Sequence, residues 1–244
     1  MNDHLLARHL AVQARDLLVD LRRTGASGPE LGAEGDCRAH SLLIESLRRH
    51  RPADAVLSEE NTEAVTSPRA GRLWIVDPLD GTREYCDRRD DWAVHVALAD
   101  RGQLVAGAVA LSTGDVHDTA SPSPLPPSPP RDRPRVVVSR SHRPPLVDAL
   151  ASVLDVDLVP VGSAGVKTIM VCMGLADAYV HDGGQWEWDS AAPVAVARAA
   201  GVHASRIDGA PLTYGNERPY IEDLLICRPE LAPGFLEALR QAVV

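Results

Sequence analysis

Leu5, Leu6, Leu10, Leu17, Leu18 and Leu21 recur at helical spacing, which predicts an amphipathic helix over the first 23 residues. The Gly-rich stretch TGASGPELGAEGD (24–36) reads as a break, with Asp36 as the cap of a second helix carrying Leu42, Leu43 and Leu47. AVLSEE (55–60) predicts a short strand ending in acids, and LWIVD (73–77) a buried strand. Two apolar runs within 92–112 flank Asp100-Arg101-Gly102, a hairpin signal. Residues 121–134 hold seven of the chain's 19 prolines and suit neither a helix nor a central strand. Beyond them, strands are predicted at 135–139, 177–181 and 223–229. Helices are predicted at 145–154, 165–176 and 189–201, the last closed by Gly201, and at the C-terminus. This order predicts an α+β or layered α/β protein with two halves, 1–133 and 134–244.

Charge and cysteine usage narrow the function. The 244 residues carry 25 Lys+Arg against 34 Asp+Glu, a net charge of −9, which argues against a sequence-independent nucleic-acid binder. A small anionic substrate stays open, because a bound cation reverses the local sign of the field. Cys37, Cys86, Cys172 and Cys227 are scattered, without a CxxC pair or zinc-type His spacing, and read as incidental thiols in a reducing compartment. The N-terminal 23 residues are charged throughout. Neither a signal peptide nor a membrane span is expected there, and the expected location is cytoplasmic.

The acids carry the chemistry. Asp36, Glu59-Glu60, Asp77 with Asp80, and Asp189 all stand where predicted helices or strands begin or end. Such an all-oxygen set suits hard cations, Mg²⁺ or Mn²⁺, and lacks the softer ligands zinc prefers. In DPLDGT (77–82), Pro78 is expected to fix a turn that projects Asp77 and Asp80 to one side, with the Leu79 carbonyl between them. Gly81 allows close backbone approach to an anion, and Thr82 adds a hydroxyl. Taken singly, each group has a bland reading as a turn, a solvated strand end or a helix cap. Their occurrence together in one chain favours metal-assisted hydrolysis of a phosphate ester.

LSEEN (57–61), WIVDPLDGT (74–82) and WEWDSAAPVAVARAAG (186–201) resemble the three signature segments of the inositol monophosphatase superfamily of Mg²⁺-dependent, lithium-sensitive phosphatases. Within it the chain most resembles the CysQ-type 3′(2′),5′-bisphosphate nucleotidases of actinobacteria. The resemblance implies the αβαβα sandwich of the sugar phosphatases. It also implies two or three Mg²⁺ ions, replaceable by Mn²⁺ and antagonised by Li⁺. By this similarity Glu59, Asp77, the Leu79 carbonyl and Asp80 would hold one ion, and Asp77, Asp80 and Asp189 a second, with Glu60 beside them. Thr82 and Asp36, helped by Glu59, would orient and deprotonate the attacking water. The N–H groups of Gly81 and Thr82 would hold the phosphate.

The implied reaction is hydrolysis of adenosine 3′,5′-bisphosphate to AMP and phosphate, extended to the sulfated nucleotide PAPS and used in sulfate assimilation. A second phosphate needs donors beyond the ions. Arg140, Ser141 and His142, after a predicted strand, and Ser163 with Lys167, at the start of an apolar helix, are the candidates. Asp182 and Glu187 are candidates for sugar hydroxyls. The family pattern departs at Cys37, where many relatives carry Lys, and at Ser163, four residues before Lys167 rather than three. Residues 121–134 read as an insertion private to this chain. Two readings compete: an inositol-1-phosphate or fructose-1,6-bisphosphate phosphatase, and a catalytically silent nucleotide- or metal-binding protein. The expected partner is a small phosphate ester, with no nucleic acid or membrane, and a homodimer is left open.

Overall fold

The computed structural model describes residues 1–24, 27–61, 71–128, 131–141 and 145–242. In chain order the elements are α1 (Asp3–Leu21), α2 (Gly28–His50), β1 (Ala55–Ser58), β2 (Arg72–Asp80), α3 (Thr82–Cys86), β3 (Ala93–Asp100), β4 (Gln103–Leu111), β5 (Val116–Asp118) and β6 (Arg135–Ser139). They continue with α4 (Pro145–Val153), β7 (Asp157–Val161), α5 (Ala164–Cys172), β8 (Ala178–Trp186), α6 (Glu187–Ala199), β9 (His203–Ser205), β10 (Tyr220–Cys227) and α7 (Ala232–Ala242). Two five-stranded sheets result, ordered β1-β2-β3-β4-β5 and β7-β6-β8-β10-β9.

Side-chain alternation explains the layering. In β2, Trp74 and Val76 point outward against Leu10, Leu18 and Leu43 of α1 and α2. Leu73 and Ile75 point inward, into a core shared with Ile169 of α5, Val194 and Val196 of α6, and Tyr179 and Leu224 of the second sheet. A strand covered on both faces is apolar throughout, which is why LWIV shows no period of two. The far face of the second sheet packs on α4 and α7 through Val136, Val138, Leu150 and Leu239. The stack is therefore helix, sheet, helix, sheet, helix.

Three expectations are corrected. Asp36 caps no helix: α2 runs unbroken from Gly28 to His50, with Asp36 in its interior. The glycines taken for a break form a contact face. A Cβ at Gly32 would strike Cys86 and Thr82, and one at Gly35 would press on Leu18 and Tyr85. Pro78 does not end β2, which continues to Asp80 and turns at Gly81 (φ +93°). The strands β5, β7 and β9 went unpredicted. Two are three residues long, and β7 is an edge strand that tolerates Pro160 and has no regular alternation. The proline-rich stretch carries no helix or strand among its described residues.

Candidate active site

The site is built on an irregularity in β2. Residues three apart on a regular strand face opposite ways. Asp77 pairs with His95 and Asp80 with Ala93, so three residues of β2 span two of β3. That bulge returns Asp77 and Asp80 to the same inward face. The main chain stabilises it: the Leu79 N–H donates to Asp77 Oδ1 (3.0 Å), and Thr82 Oγ1 donates to the Leu79 carbonyl (3.1 Å). Across the layer, α6 starts with its first turn aimed at the bulge. The Trp186 N–H donates to Asp189 Oδ2 (2.7 Å), which fixes Asp189 at the helix N-terminus. Carboxylate oxygens of Asp77, Asp80 and Asp189 lie within 4.8 Å of one another.

Like charges this close in a dry site favour protonation. Burial, then the charges of Glu59, Asp80 and Asp189, hold the Asp77 carboxyl well above the usual carboxylate range. Burial and the Asp80 charge push Asp189 up to about 7. Glu59 is raised by desolvation and by Glu60 and Asp80. Asp80 alone goes the other way: burial raises it, but His95, Lys167 and the Ser163 hydroxyl outweigh burial. No Lys or Arg among the described residues forms an ion pair with Asp77, Asp80 or Asp189. An all-carboxylate cluster whose ion pairing is confined to the His95 contact with Asp80 fits a hard divalent cation.

The structure brings further predicted residues to this cluster. Glu59, just beyond β1, is close enough to Asp77 that its charge helps raise the Asp77 carboxyl. Asp36 feels the charges of Glu59 and Glu60; burial first, then those charges, push it up to about 7, and its Oδ1 is buried without a hydrogen-bond partner. Gly81 and Thr82 open α3 beside the bulge. Lys167 is 2% exposed and shares a 360 Å³ cavity with Asp80 and Asp189. Its Nζ donates to the Gly162 carbonyl (2.6 Å) and sits 5.0 Å from the centre of the Tyr179 ring. Burial brings its pKa down to about 8, against the opposing pull of Asp80, Glu84 and Asp189.

Other candidates are engaged elsewhere. Arg140 does not line the cavity; it donates to Glu84 Oε1 (2.7 Å) and Asp91 Oδ2 (2.5 Å). Ser163 is fully buried, caps α5 by accepting the Val166 N–H, and donates to Asp80. Ser141 is exposed and off the cavity wall, and His142 lies outside the described residues. Glu187 is fully buried and accepts the N–H groups of Gly215 (2.7 Å) and Asn216 (2.9 Å), so it anchors a loop. Asp182 is absent from the cavity wall.

Sequence reasoning missed His95. Its Nδ1 lies 3.2 Å from the Trp188 carbonyl, which ties β3 to the turn that carries Asp189, and its Nε2 sits 3.2 Å from Asp80 Oδ2 without hydrogen-bond geometry. A carbonyl only accepts, so Nδ1 carries a proton. A Cβ at Gly165 would collide with this ring, which explains the glycine there. The available signal was one histidine in an apolar strand, opposite Asp77 once the hairpin register is known. The aromatic wall of Tyr179, Trp186 and Tyr220 was also missed.

A model of the inositol monophosphatase family matches residues 9–121 and 127–243, and the gap falls in the proline-rich stretch. The chain belongs to the inositol monophosphatase family. Among its relatives, a Mycobacterium bovis protein named 3′-phosphoadenosine 5′-phosphate phosphatase is 46% identical over 87% of this chain and 83% of its own length. The Escherichia coli 3′(2′),5′-bisphosphate nucleotidase CysQ is 34% identical over 73% of this chain and 77% of its own. The crystal structure of CysQ from Bacteroides thetaiotaomicron, a bacterial member of the family, superposes with a TM-score of 0.82 at 25% identity, covering 93% of this chain and 97% of that one. The family is metal-dependent, in line with the acidic cluster. No described helix is long and apolar enough to cross a membrane.

Proposed function

We propose that this chain is an Mg²⁺-dependent phosphatase that removes the 3′-phosphate of 3′-phosphoadenosine 5′-phosphate, giving AMP and phosphate. The observation that carries the reading is the trio Asp77, Asp80 and Asp189, packed within 4.8 Å without a Lys or Arg ion pair among the described residues, with Asp80 and Asp189 on the wall of a cavity that also holds Lys167. The substrate class is supported by the names of the relatives at 46% and 34% identity.

Glu59, Asp77, Asp80, Asp189 and the Leu79 carbonyl would hold the ions. Bound there, Mg²⁺ supplies activation of water and neutralisation of charge on the departing oxygen. Thr82 Oγ1 already donates to the Leu79 carbonyl, so its lone pairs face outward to orient the water. Asp36, with an unpaired Oδ1, takes the proton. The Gly81 and Thr82 N–H groups hold the phosphate. Lys167, on the wall of the same cavity, supplies the cation for the second phosphate. Arg140 and Ser163 are left out of substrate binding because other groups occupy them. PAPS, with the same ribose 3′-phosphate, is the second expected substrate, and sulfate assimilation the setting. The four free thiols suit a reducing cytoplasm.

The test is phosphate release with Mg²⁺ across adenosine 3′,5′-bisphosphate, PAPS, inositol 1-phosphate and fructose 1,6-bisphosphate, for wild type and Lys167→Ala. Chelation and millimolar Li⁺ should each stop release. Lys167→Ala should raise KM for the bisphosphate nucleotide on the order of tenfold, in keeping with a charge-assisted contact, and leave that for inositol 1-phosphate nearly unchanged. Preference for inositol 1-phosphate or fructose bisphosphate overturns the nucleotidase reading. Release without divalent metal overturns the metal reading.

A further inference from the structure

Three of the chain's four tryptophans are buried: Trp74 and Trp92 fully, and Trp188 at 3% exposed. The fourth, Trp186, is 41% exposed and lines the same cavity as Asp80, Asp189 and Lys167. It is the only aromatic among the exposed large hydrophobic residues of the described chain. Its place on the wall of the cavity, beside the acidic cluster, makes its exposed indole available to a bound ligand.

The ring is already held in place. Its backbone N–H donates to Asp189 Oδ2 (2.7 Å). One face stacks on Trp188, with centroids 5.1 Å apart and planes 11° apart. The Tyr220 ring stands nearly perpendicular to it, with centroids 5.5 Å apart and planes 80° apart. Tyr220 is fixed in turn: its hydroxyl donates to the Gly183 carbonyl (3.0 Å), and a side chain at Gly184 would collide with it. The Arg218 guanidinium, 4.5 Å from the Tyr220 ring centre, covers part of that ring. The ring is thus immobilised before any ligand arrives, which lowers the entropy cost of using it.

We infer that Trp186 is the platform on which the nucleobase of the substrate stacks, while the reacting phosphate lies at the Asp77–Asp80–Asp189 end of the cavity. This rests on the phosphatase reading above and adds the group that distinguishes a nucleotide from other phosphate esters. A flat indole gives nothing to a phosphate or a sugar hydroxyl, whereas every base has a π-face to lay against it. The attachment is short. Trp186 lies three residues before Asp189 and is bonded to its carboxylate, so the platform and the acidic cluster move as one piece.

The test compares two esters in Mg²⁺ with wild type, Trp186→Ala and Trp186→Phe. One is adenosine 3′,5′-bisphosphate, and the other is ribose 3,5-bisphosphate, which lacks the base. Trp186→Ala should raise KM for the nucleotide on the order of 10- to 100-fold with kcat changed less than about threefold, the range expected for loss of one base–aromatic stack. Trp186→Phe should restore most of that loss. The base-free ester should show the same KM with all three proteins. Equal effects on both esters, or dissociation of an oligomer by Trp186→Ala without a base-dependent change, overturns the platform. If the wild type hydrolyses neither ester, the phosphatase reading falls and this inference with it. Wild-type turnover with an unchanged Trp186→Ala profile removes the platform alone.

Discussion

Two groups of acids flank the loop that joins β7 to α5. On one side, Glu84 and Asp91 share the Arg140 guanidinium, and Asp91 also accepts the Gly162 N–H (3.0 Å). On the other side, Asp77, Asp80 and Asp189 face one another with no arginine or lysine paired to any of them, and burial with mutual repulsion raises Asp77 and Asp189. The first group is neutralised within the fold. The second is pre-arranged at an energetic cost that only a ligand can offset. Acidity therefore does not mark the site here; the shortfall of built-in counter-charge, which leaves Asp77 and Asp189 raised, does.

The largest effect should come from Asp77→Asn. The amide oxygen can still accept the Leu79 N–H that Asp77 Oδ1 accepts at 3.0 Å, so the bulge survives. The lost charge removes a ligand from the cluster, and phosphate release should fall by more than about a thousandfold, the several kcal/mol that metal chemistry supplies. The same change removes repulsion, so the metal-free variant should melt at or above the wild-type temperature. Retained turnover breaks the comparison outright. A large fall in the metal-free melting temperature would show that Asp77 is structural, like Glu84.

His95→Asn is the intermediate case. Its amide can keep the link to the Trp188 carbonyl, now 3.2 Å from Nδ1, while the contact with Asp80 is lost. Direct Mg²⁺ titration by calorimetry should report binding weakened about 10- to 100-fold, the usual loss when a group that orients a ligand is removed. His95→Gln, which reaches Asp80 but not the carbonyl, should keep more of the affinity. Unchanged affinity in both variants would reduce His95 to core filling.

Legibility in the sequence follows the range over which each feature is determined. The strands and helices that frame the site were readable because burial repeats over a few residues, as in LWIV of β2 and the leucines of α1. Glu59, Asp80 and Asp189 stood out because each lies at an element's end, whereas Asp36 and Asp77 lie inside α2 and β2. The bulge at Pro78 was not readable: D-P-L-D-G fits an ordinary turn, and only pairing with β3 shows that the strand continues. Long-range partners were hidden altogether. Glu84 and Asp91 lie 56 and 49 residues from Arg140, and the Trp188 carbonyl lies 93 residues from His95. Lys167 was readable because a charge in an apolar helix needs compensation, whereas Arg140 at a strand end gave no hint of which acid would claim it.

Arg140→Ala sharpens the comparison from the neutralised side, with the smallest expected effect on chemistry. It leaves Glu84, whose side chain is 7% exposed, without its arginine, while Asp91, 17% exposed, keeps only the half-exposed Arg89 (3.0 Å). Because Arg140 itself is 30% exposed, solvent screens part of the loss, and about 2 kcal/mol of stability is expected to go. In a chain of this length that corresponds to a fall of roughly 4–8 °C in Tm. KM for the bisphosphate nucleotide should move by less than about threefold, well short of Lys167→Ala, because Arg140 is off the cavity wall. Adding Glu84→Gln should recover part of the lost Tm, since it removes the buried carboxylate that has lost its arginine. A large rise in KM with no loss of Tm would instead place Arg140 on the substrate, and would mean that Glu84 and Asp91 hold it ready for a phosphate.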